Sequence, residues 1–301
     1  MQTQRTFLDE LKHQYKSGGI VVKLIFVNLI AFLLISIINA LVRLSLGQSS
    51  LTVLELIGDI FYLQTSPAAF IRHPWGLITH MFAHIEFFHI LSNMIFLWFS
   101  GKIFLMFFSQ KRLLYTYLLG GLFGGIFELI AQLFPGLTPH PVIGASGAVM
   151  AVMVAIAAHK PSFKVNLFGV LPVPMFLIAG VFFLKDFVNI GMDDGIAHFA
   201  HLGGATLGLI SVQQLSSPSN IITLGQQFGE WFMRLFKKNS KPKMKKTKGN
   251  NRMKTDEQYN EENSDRQAQV DTILDKISKS GYESLTRKEK DFLFKQSNNG
   301  K

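Results

Sequence analysis

Two polar residues with complementary chemistry lie inside strongly hydrophobic segments of the chain. Ser146 follows a glycine and an alanine and precedes a glycine, and His201 lies in a separate apolar segment 55 positions further on. Polar and ionisable groups inside membrane segments are expensive and usually functional. A serine with a histidine base is the minimal nucleophile and base for acyl transfer. The pair therefore predicts a hydrolase that works within a lipid bilayer.

The composition of the chain favours a membrane protein. Hydrophobic residues make up 48% of the sequence, with 28 phenylalanines, whereas charged residues make up only 17%. The last quarter is strongly polar, so the first part is more apolar than the average indicates. The sequence has no cysteine, which excludes disulfides and thiolate metal sites.

Six hydrophobic segments predict an all-α membrane protein with six transmembrane helices in one bundle. The segments are 20–42, 87–108, 113–134, 146–158, 167–190 and 196–215. The fourth segment is short, because a helix over 146–158 covers only about 20 Å of a hydrocarbon core about 30 Å thick. Ser146 is therefore expected below the membrane surface, at a depth that His201 and His89 also reach.

Basic residues predict the orientation of these spans. They lie before or at the start of the first segment, between the second and third, between the fourth and fifth, and after the sixth. These residues are Lys12, Lys16, Lys23, Lys111, Arg112, Lys160, Lys164 and the lysine-rich tail. With six spans they all fall on one side of the membrane, which should be the cytoplasmic side, although Arg43, Arg72 and Lys185 lie near the other side. We expect a multi-pass protein of the cell (inner) membrane, with cytoplasmic termini and an active site that opens to the extracytoplasmic side.

A second pair of residues is suited to hold the oxyanion of acyl transfer. His89 and Asn93 are one helical turn apart, and their N–H groups, with the backbone N–H of Ser146, would supply the fixed donors that the oxyanion needs. No acidic residue lies close in sequence to Ser146 or His201 to orient the imidazole. We therefore expect a catalytic dyad rather than a triad.

At these residues the chain resembles the rhomboid family of intramembrane serine proteases, over about residues 20–215. The matching motifs are Gly144-x-Ser146-Gly147, Ala197-His198-x-x-His201-x-x-Gly204-x-x-x-Gly208, and His84-x-x-x-x-His89-x-x-x-Asn93 after Trp75 and Thr79-His80. The resemblance implies that Ser146 is the nucleophile, His201 the base, and His89 and Asn93 the oxyanion hole. Gly144, Gly147, His84, His198, Gly204 and Gly208 would support them. It also implies cleavage of transmembrane protein substrates without a cofactor or metal.

Other interpretations use the same residues. His80, His84, His89, His198 and His201 could be a metal cluster, but no H-E-x-x-H motif occurs and no carboxylate recurs with them. A non-catalytic rhomboid-like protein that binds membrane clients is the main alternative. A transporter is a third, although transporters more often show paired carboxylates inside their spans.

The sequence as a whole divides into four predicted parts. We predict a cytoplasmic segment over 1–19, the protease core over 20–215, an amphipathic and basic linker over 216–262, and a helical hairpin over 263–301. The linker combines an apolar helical face (Phe228, Trp231, Phe232, Leu235, Phe236) with a lysine run from Lys237 to Lys254, which indicates binding to anionic lipids rather than to nucleic acid. A solvated basic linker is the alternative. Val270, Ile273, Leu274 and Ile277 would form one stripe of the hairpin, which is a candidate site for a protein partner.

Overall fold

The structure, a computed structural model, describes most of the first 236 residues and short stretches of the tail. The described residues are 9, 13–16, 18–47, 50–167, 170–192 and 194–236, and then 270, 273–274, 276–277, 281–286 and 289–293; side chains at 50–54, 167, 236 and 283 are outside the description. The chain forms two compact units, 1–105 with 110–243, and 106–109 with 244–301.

The first unit is mostly helical. Its helices are α1 (Ile20–Leu46), α2 (Ser50–Phe61), α3 (Pro67–Arg72), α4 (Gly76–Thr79), α5 (Phe87–Phe107), α6 (Gln110–Ala131), α7 (Ser146–His159), α8 (Met175–Val188), α9 (His198–Ser211) and α10 (Ile221–Phe236), with a 3₁₀ turn at His80–Phe82. Two antiparallel strand pairs join β1 (Leu63–Gln64) to β2 (Pro141–Val142) and β3 (Lys164–Leu167) to β4 (Leu171–Pro174). The protein is therefore mostly helical, as predicted, with two small sheets that the prediction of an all-α protein did not include.

Each of the six predicted segments contains a helix, but the helices differ in length. Three are long and apolar enough to cross a membrane: α1 with 27 residues, α5 with 21 and α6 with 22. By contrast α7, α8 and α9 have 14 residues each, which corresponds to about 21 Å of helix. The protein thus has three candidate membrane-spanning helices among its described residues, and the count of six spans stays a prediction.

The fifth and sixth segments are shorter than the sequence indicated. The predicted fifth span begins at residue 167, but residues 164–174 form the β3–β4 hairpin and the helix starts only at Met175. Prolines at 172 and 174 explain this start, because proline lacks an N–H and favours extended backbone before it. The helix in the predicted sixth segment, α9, ends at Ser211 rather than at residue 215.

Helices α6, α7 and α9 pack closely through small residues. A Cβ added to Gly204 of α9 would overlap the carbonyl oxygen of Gly147 in α7, and one added to Gly208 would lie 2.6 Å from the Ala151 oxygen. Gly124 of α6 faces α9 in the same way, 2.8 Å from the Ala200 oxygen. Small residues let helix backbones approach closely where apolar surfaces alone drive little association, as in membranes.

Several polar side chains buried in this unit donate hydrogen bonds to groups on other elements. Asn28 of α1 donates to the hydroxyl of Tyr117 in α6 at 3.1 Å, and that hydroxyl donates to the Met81 carbonyl at 3.1 Å. Near the start of α6, the buried Arg112 donates to the Ser211 carbonyl at 2.5 Å and to the Asn220 side chain at 3.0 Å. Such pairing offsets the large penalty of burying polar groups.

The starts of α1 and α6 and the end of α9 lie at one end of the bundle. The backbone N–H of Ile20 donates to Gln110 at 3.1 Å, and Arg112 reaches Ser211. Lys111 also forms an ion pair with Glu230 of α10. The basic residues near the starts of α1 and α6 (Lys23, Lys111 and Arg112) therefore share one end, and Ser146 begins α7 at the other.

The apolar face predicted for the linker lies on α10 and is exposed. Phe228 is 64% exposed and Trp231 55% exposed. Gly225 and Gly229 approach the side chains of Leu119 and Tyr115 of α6. Contact of the exposed face with lipid stays a prediction, and the lysine run from Lys237 to Lys254 lies outside the described residues.

The described part of the tail contains a helix end and a helix start. Gly281 (φ 76°) donates its N–H to the Ile277 carbonyl. Thr286 and Glu289 form a capping box, in which the Thr286 N–H donates to Glu289 Oε2 at 2.6 Å and the Glu289 N–H donates to Thr286 Oγ1 at 3.4 Å. The backbone N–H of Thr286, followed by the side chains of Lys276 and Thr286, lowers the pKa of Glu289 to about 2. The predicted apolar stripe is only partly confirmed, because Ile273 is buried whereas Leu274 is 50% exposed.

The approach of α7 to α9 leads to a stability prediction. Gly204→Ala should lower the free energy of unfolding by about 2 kcal/mol or more, because its methyl group would overlap the Gly147 carbonyl and force two backbones apart. Thermal unfolding in detergent measures the effect. Gly180→Ala is the matched control, since nothing lies within 4 Å of a Cβ at Gly180 of α8. Equal stability of the two variants would contradict the close packing.

Candidate active site

Ser146 and His201 lie within hydrogen-bond distance of each other. Ser146 is the first residue of α7 and His201 is the fourth of α9, and the Ser146 Oγ lies 2.7 Å from His201 Nε2. The close packing of the two helices brings together side chains that are 55 positions apart in the sequence. A hydroxyl facing an imidazole nitrogen at this distance can pass its proton to the ring.

The two side chains line a cavity of about 480 Å³. His89 and Asn93 of α5 line it as well, so all four residues that the sequence assigned to acyl transfer face one space. Apolar side chains such as Met150, Phe96 and Phe182 complete much of the wall. A concave, largely apolar space with a few convergent polar groups is typical of a ligand site.

His84 holds the loop before Ser146 and the amide of Asn93. Its Nε2 accepts the backbone N–H of Ala145 at 3.3 Å and lies 3.3 Å from Asn93 Nδ2. The same Asn93 nitrogen also donates to the His89 carbonyl at 3.1 Å. Asn93 therefore makes two contacts with protein acceptors here, and the supporting role expected of His84 stays a prediction.

Gly144 allows the chain to pass close to the ring of His89. Its φ of 112° is one that side chains other than glycine rarely adopt, and a Cβ there would lie 2.7 Å from His89 Nε2. The Gly144 N–H also donates to the His80 carbonyl at 2.9 Å. The glycine of the Gly144-x-Ser146-Gly147 motif thus sets the distance between α5 and the start of α7.

An aspartate that sequence reasoning missed lies against His201. Asp186 Oδ1, near the end of α8, is 2.9 Å from His201 Nδ1, and the aspartate is 2% exposed. The separation is that of a hydrogen bond, but the Nδ1–H bond is not aligned with the oxygen. A carboxylate therefore lies beside the histidine in space, and the expectation of a catalytic dyad rather than a triad stays a prediction. The available signal was an acidic residue near the end of an apolar segment.

His198 lies between two carboxylates. Its Nδ1 bonds the same Asp186 oxygen at 3.0 Å, and its Nε2 lies 3.3 Å from Asp194 in the loop before α9. The backbone N–H of Ile196 is the main group that lowers the pKa of Asp194, and His198 adds to this effect. These contacts hold the His198 ring from both nitrogens, and the supporting role expected of His198 stays a prediction.

A buried glutamate fixes the start of α9. Glu128 of α6 is 2% exposed, and its Oε2 accepts the backbone N–H of Ala200 at 3.1 Å. Its other oxygen lies 3.5 Å from His140 Nε2. The first N–H groups of a helix have no acceptor within the helix, so a carboxylate at this end satisfies one of them.

One group of described residues has the composition of a metal site. The donor atoms of Asp186, His198 and His201 lie within 4.8 Å of one another. Both histidines already contact the Asp186 oxygen through Nδ1, and His201 contacts Ser146 through Nε2. These contacts account for every member of the group, so an ion would have to displace Asp186 from the two rings.

The fold and the site define a multi-helix membrane protein with a serine–histidine pair at one end of its bundle. A comparison with known families agrees with this class. The family model described as Rhomboid domain matches residues 72–217, and the chain belongs to the rhomboid family through this domain. A second model, described as a family of unknown function (DUF6576), matches residues 254–299 of the tail.

Curated relatives are similar to about half of this chain. RHOMBOID-like protein 12, mitochondrial, of Arabidopsis thaliana is 37% identical over 150 residues, covering 45% of this chain and 44% of that protein. The human Presenilin-associated rhomboid-like protein, mitochondrial, is 29% identical over 157 residues, covering 50% and 40%. RHOMBOID-like protein 1 of Arabidopsis thaliana is 33% identical over 172 residues, covering 55% and 39%. The matches thus span less than half the length of these relatives.

The contact between Glu128 and α9 leads to a second prediction. Glu128→Ala should lower the free energy of unfolding by about 1 to 3 kcal/mol, because the buried N–H of Ala200 would lose its acceptor. Glu128→Gln keeps an acceptor oxygen and should lose less. Thermal unfolding of the two variants in one detergent gives the comparison. An alanine variant as stable as wild type would show that the contact contributes nothing.

Proposed function

We propose that this protein is an intramembrane serine endopeptidase that cleaves peptide bonds in or near transmembrane segments of other proteins. The observation that carries the proposal is the 2.7 Å contact between Ser146 Oγ and His201 Nε2 at the wall of a cavity. Membership of the rhomboid family supports it.

In the proposed reaction the Ser146 oxygen attacks the carbonyl carbon of the substrate while His201 Nε2 takes the hydroxyl proton. The tetrahedral intermediate collapses when His201 delivers that proton to the leaving amine, and the carbon–nitrogen bond breaks. Water then attacks the acyl-enzyme with His201 again as the base. The second collapse returns a proton to Ser146 and releases the carboxylic acid product.

The proposed oxyanion donors come from α5 and from the start of α7. The N–H of Ser146 is one of the first in α7, where no acceptor exists within the helix, and it is free to face a ligand. The His89 ring and the Asn93 amide line the same cavity. Asn93 holds His84 and the His89 carbonyl in this structure, so one of its N–H groups would turn toward the oxyanion during the reaction.

The proposed substrates follow from backbone chemistry in lipid. A transmembrane helix has its carbonyls already hydrogen-bonded, so the segment to be cleaved must unwind locally before Ser146 can attack. We therefore propose substrates with small or helix-breaking residues near the membrane face at which α7 begins. We also propose that the basic end of the bundle faces the cytoplasm, because lysine and arginine flank spans on that side.

The nucleophile and the base give the direct test. Ser146→Ala and His201→Ala should each abolish cleavage of a generic transmembrane substrate by the purified protein in liposomes, because the two residues act as a unit. A serine-directed phosphonate should label wild type at Ser146 and leave Ser146→Ala unlabelled.

The control variant is Ser100→Ala. Ser100 is a buried serine of α5 that donates to the Phe96 carbonyl of its own helix, so its loss should leave cleavage unchanged. Wild-type protein that neither cleaves nor reacts with the phosphonate would favour the alternative of a non-catalytic protein that binds membrane clients. Activity removed by a chelator and restored by zinc would favour a metal site at Asp186, His198 and His201.

The oxyanion assignment gives a further prediction. Asn93→Ala should slow cleavage by about 10- to 1000-fold, which is the loss expected for one oxyanion donor. The rate constant for turnover, measured with the same substrate, is the readout. Asn166→Ala, on the exposed β3 strand at the other end of the unit, is the control. An unchanged rate for Asn93→Ala would make Asn93 a packing residue.

A further inference from the structure

We propose that Asp186 is a positioning residue for His201, and that His198 and Asp194 hold Asp186 in place. This inference rests on the proposed function, because it assigns a partner to the catalytic base. It extends the serine–histidine pair to a series that runs from the cavity to the loop before α9: Ser146, His201, Asp186, His198 and Asp194.

The two ring nitrogens of His201 have different partners. A neutral imidazole carries a proton on one nitrogen and accepts through the other. Asp186 can only accept while it is ionised, so its contact at Nδ1 favours the proton there. Nε2 is then left as the acceptor that faces the Ser146 hydroxyl at 2.7 Å. The carboxylate thus selects the form of the ring that can act as a base.

The buried carboxylate of Asp186 is held by His198. A carboxylate that is 2% exposed is stable only if charged or polar partners replace its water. His198 supplies an aligned hydrogen bond to Oδ1 at 3.0 Å, whereas His201 contacts the same oxygen at 2.9 Å without alignment. His198 therefore anchors the carboxylate and leaves the His201 contact free to tighten, as catalytic hydrogen bonds often do once substrate is bound.

His198 links Asp186 to the loop before α9. Its Nδ1 lies 3.0 Å from Asp186 Oδ1 and its Nε2 lies 3.3 Å from Asp194 Oδ2. The ring therefore bridges the two carboxylates, and Asp194 fixes the orientation in which His198 holds Asp186.

Charged and titratable groups from the surrounding elements also face His201. They are His89 on α5, Glu128 on α6, Asp186 on α8 and His198 on α9 itself. Within the described residues, Asp186 is the one group among these that lies at ion-pair distance from the His201 ring, at 2.9 Å. Its removal should therefore change the behaviour of His201 more than removal of any of the others.

The test compares Asp186→Asn with wild type in the cleavage assay. The isosteric amide should lower kcat by about 100-fold or more with little change in KM, since loss of the orienting aspartate of a serine protease lowers kcat by up to about 10⁴-fold. The acid limb of the pH–rate profile should move to lower pH, because a nearby carboxylate favours the protonated ring and the amide does not. Asp186→Glu should recover part of the lost rate.

Two further variants separate positioning from general damage. His198→Ala should lower kcat less than Asp186→Asn, because it loosens Asp186 without removing it. Asp59→Asn is the matched control: Asp59 lies 3.9 Å from His73, so this variant also removes a carboxylate beside a histidine, and it should leave kcat and the pH profile unchanged.

A measurement on the wild-type protein keeps the proposal testable if Asp186→Asn fails to fold. Nitrogen NMR of histidine-labelled protein, assigned with His201→Ala, should place the neutral His201 proton on Nδ1. A proton on Nε2 would overturn the proposal. So would a folded Asp186→Asn variant with kcat within about threefold of wild type and an unshifted acid limb.

Failure of the proposed function has a different signature. Wild-type protein that is as inert as Ser146→Ala toward both substrate and phosphonate would remove the catalytic role of Ser146 itself. Wild-type protein that reacts normally alongside an equally active Asp186→Asn would refute only the positioning role and leave the serine–histidine pair intact.

Discussion

The contact between α7 and α9 is the constraint on which the rest of the site depends. Ser146 begins one helix and His201 lies one turn into the other, so their separation is set by how closely the two backbones approach. Gly204 against the Gly147 carbonyl allows that approach. A larger residue at either position would separate the helices by more than the hydrogen bond between Ser146 and His201 could span.

The same closeness creates a problem that buried polar side chains solve. Short helices end inside the apolar region, where their terminal N–H groups lack acceptors. Glu128 accepts the N–H of Ala200 at the start of α9, and His84 accepts the N–H of Ala145 just before α7. Arg112 donates to the Ser211 carbonyl at the opposite end of α9. Each of these side chains comes from an element other than the helix end that it completes, so they also hold the bundle in register.

The sequence predicted those parts of the site that depend on local spacing. Ser146, His201, His89 and Asn93 were found because their motifs are short and because polar groups stand out in apolar segments. The order of the helical segments was enough to predict that these four residues reach a similar depth. The hairpin at 164–174 was missed because its apolar residues resemble the start of a span, although the prolines at 172 and 174 argue against a helix there.

Asp186 was missed for a different reason. It lies on α8, which contributes no other member of the catalytic motifs, and its distance from His201 depends on how α8 packs against α9. An acidic residue that is distant from His201 in sequence can still lie next to it in space. Helix packing, rather than sequence separation, decides which carboxylate reaches a buried ring.

Because the surroundings of His201 are largely apolar, the position of Asp186 affects how easily the ring takes up a proton. When a histidine accepts a proton away from bulk water, the positive charge is unfavourable unless a fixed negative group lies beside it, since charges interact more strongly in apolar surroundings. A carboxylate placed there in advance needs no reorganisation as the charge forms, but it must itself be held by partners before the reaction. His198 meets this requirement because it bonds Asp186, and Asp194 in the loop before α9 in turn contacts His198. In the proposed mechanism, the largely apolar surroundings of Ser146 and His201 make this second layer of charge necessary.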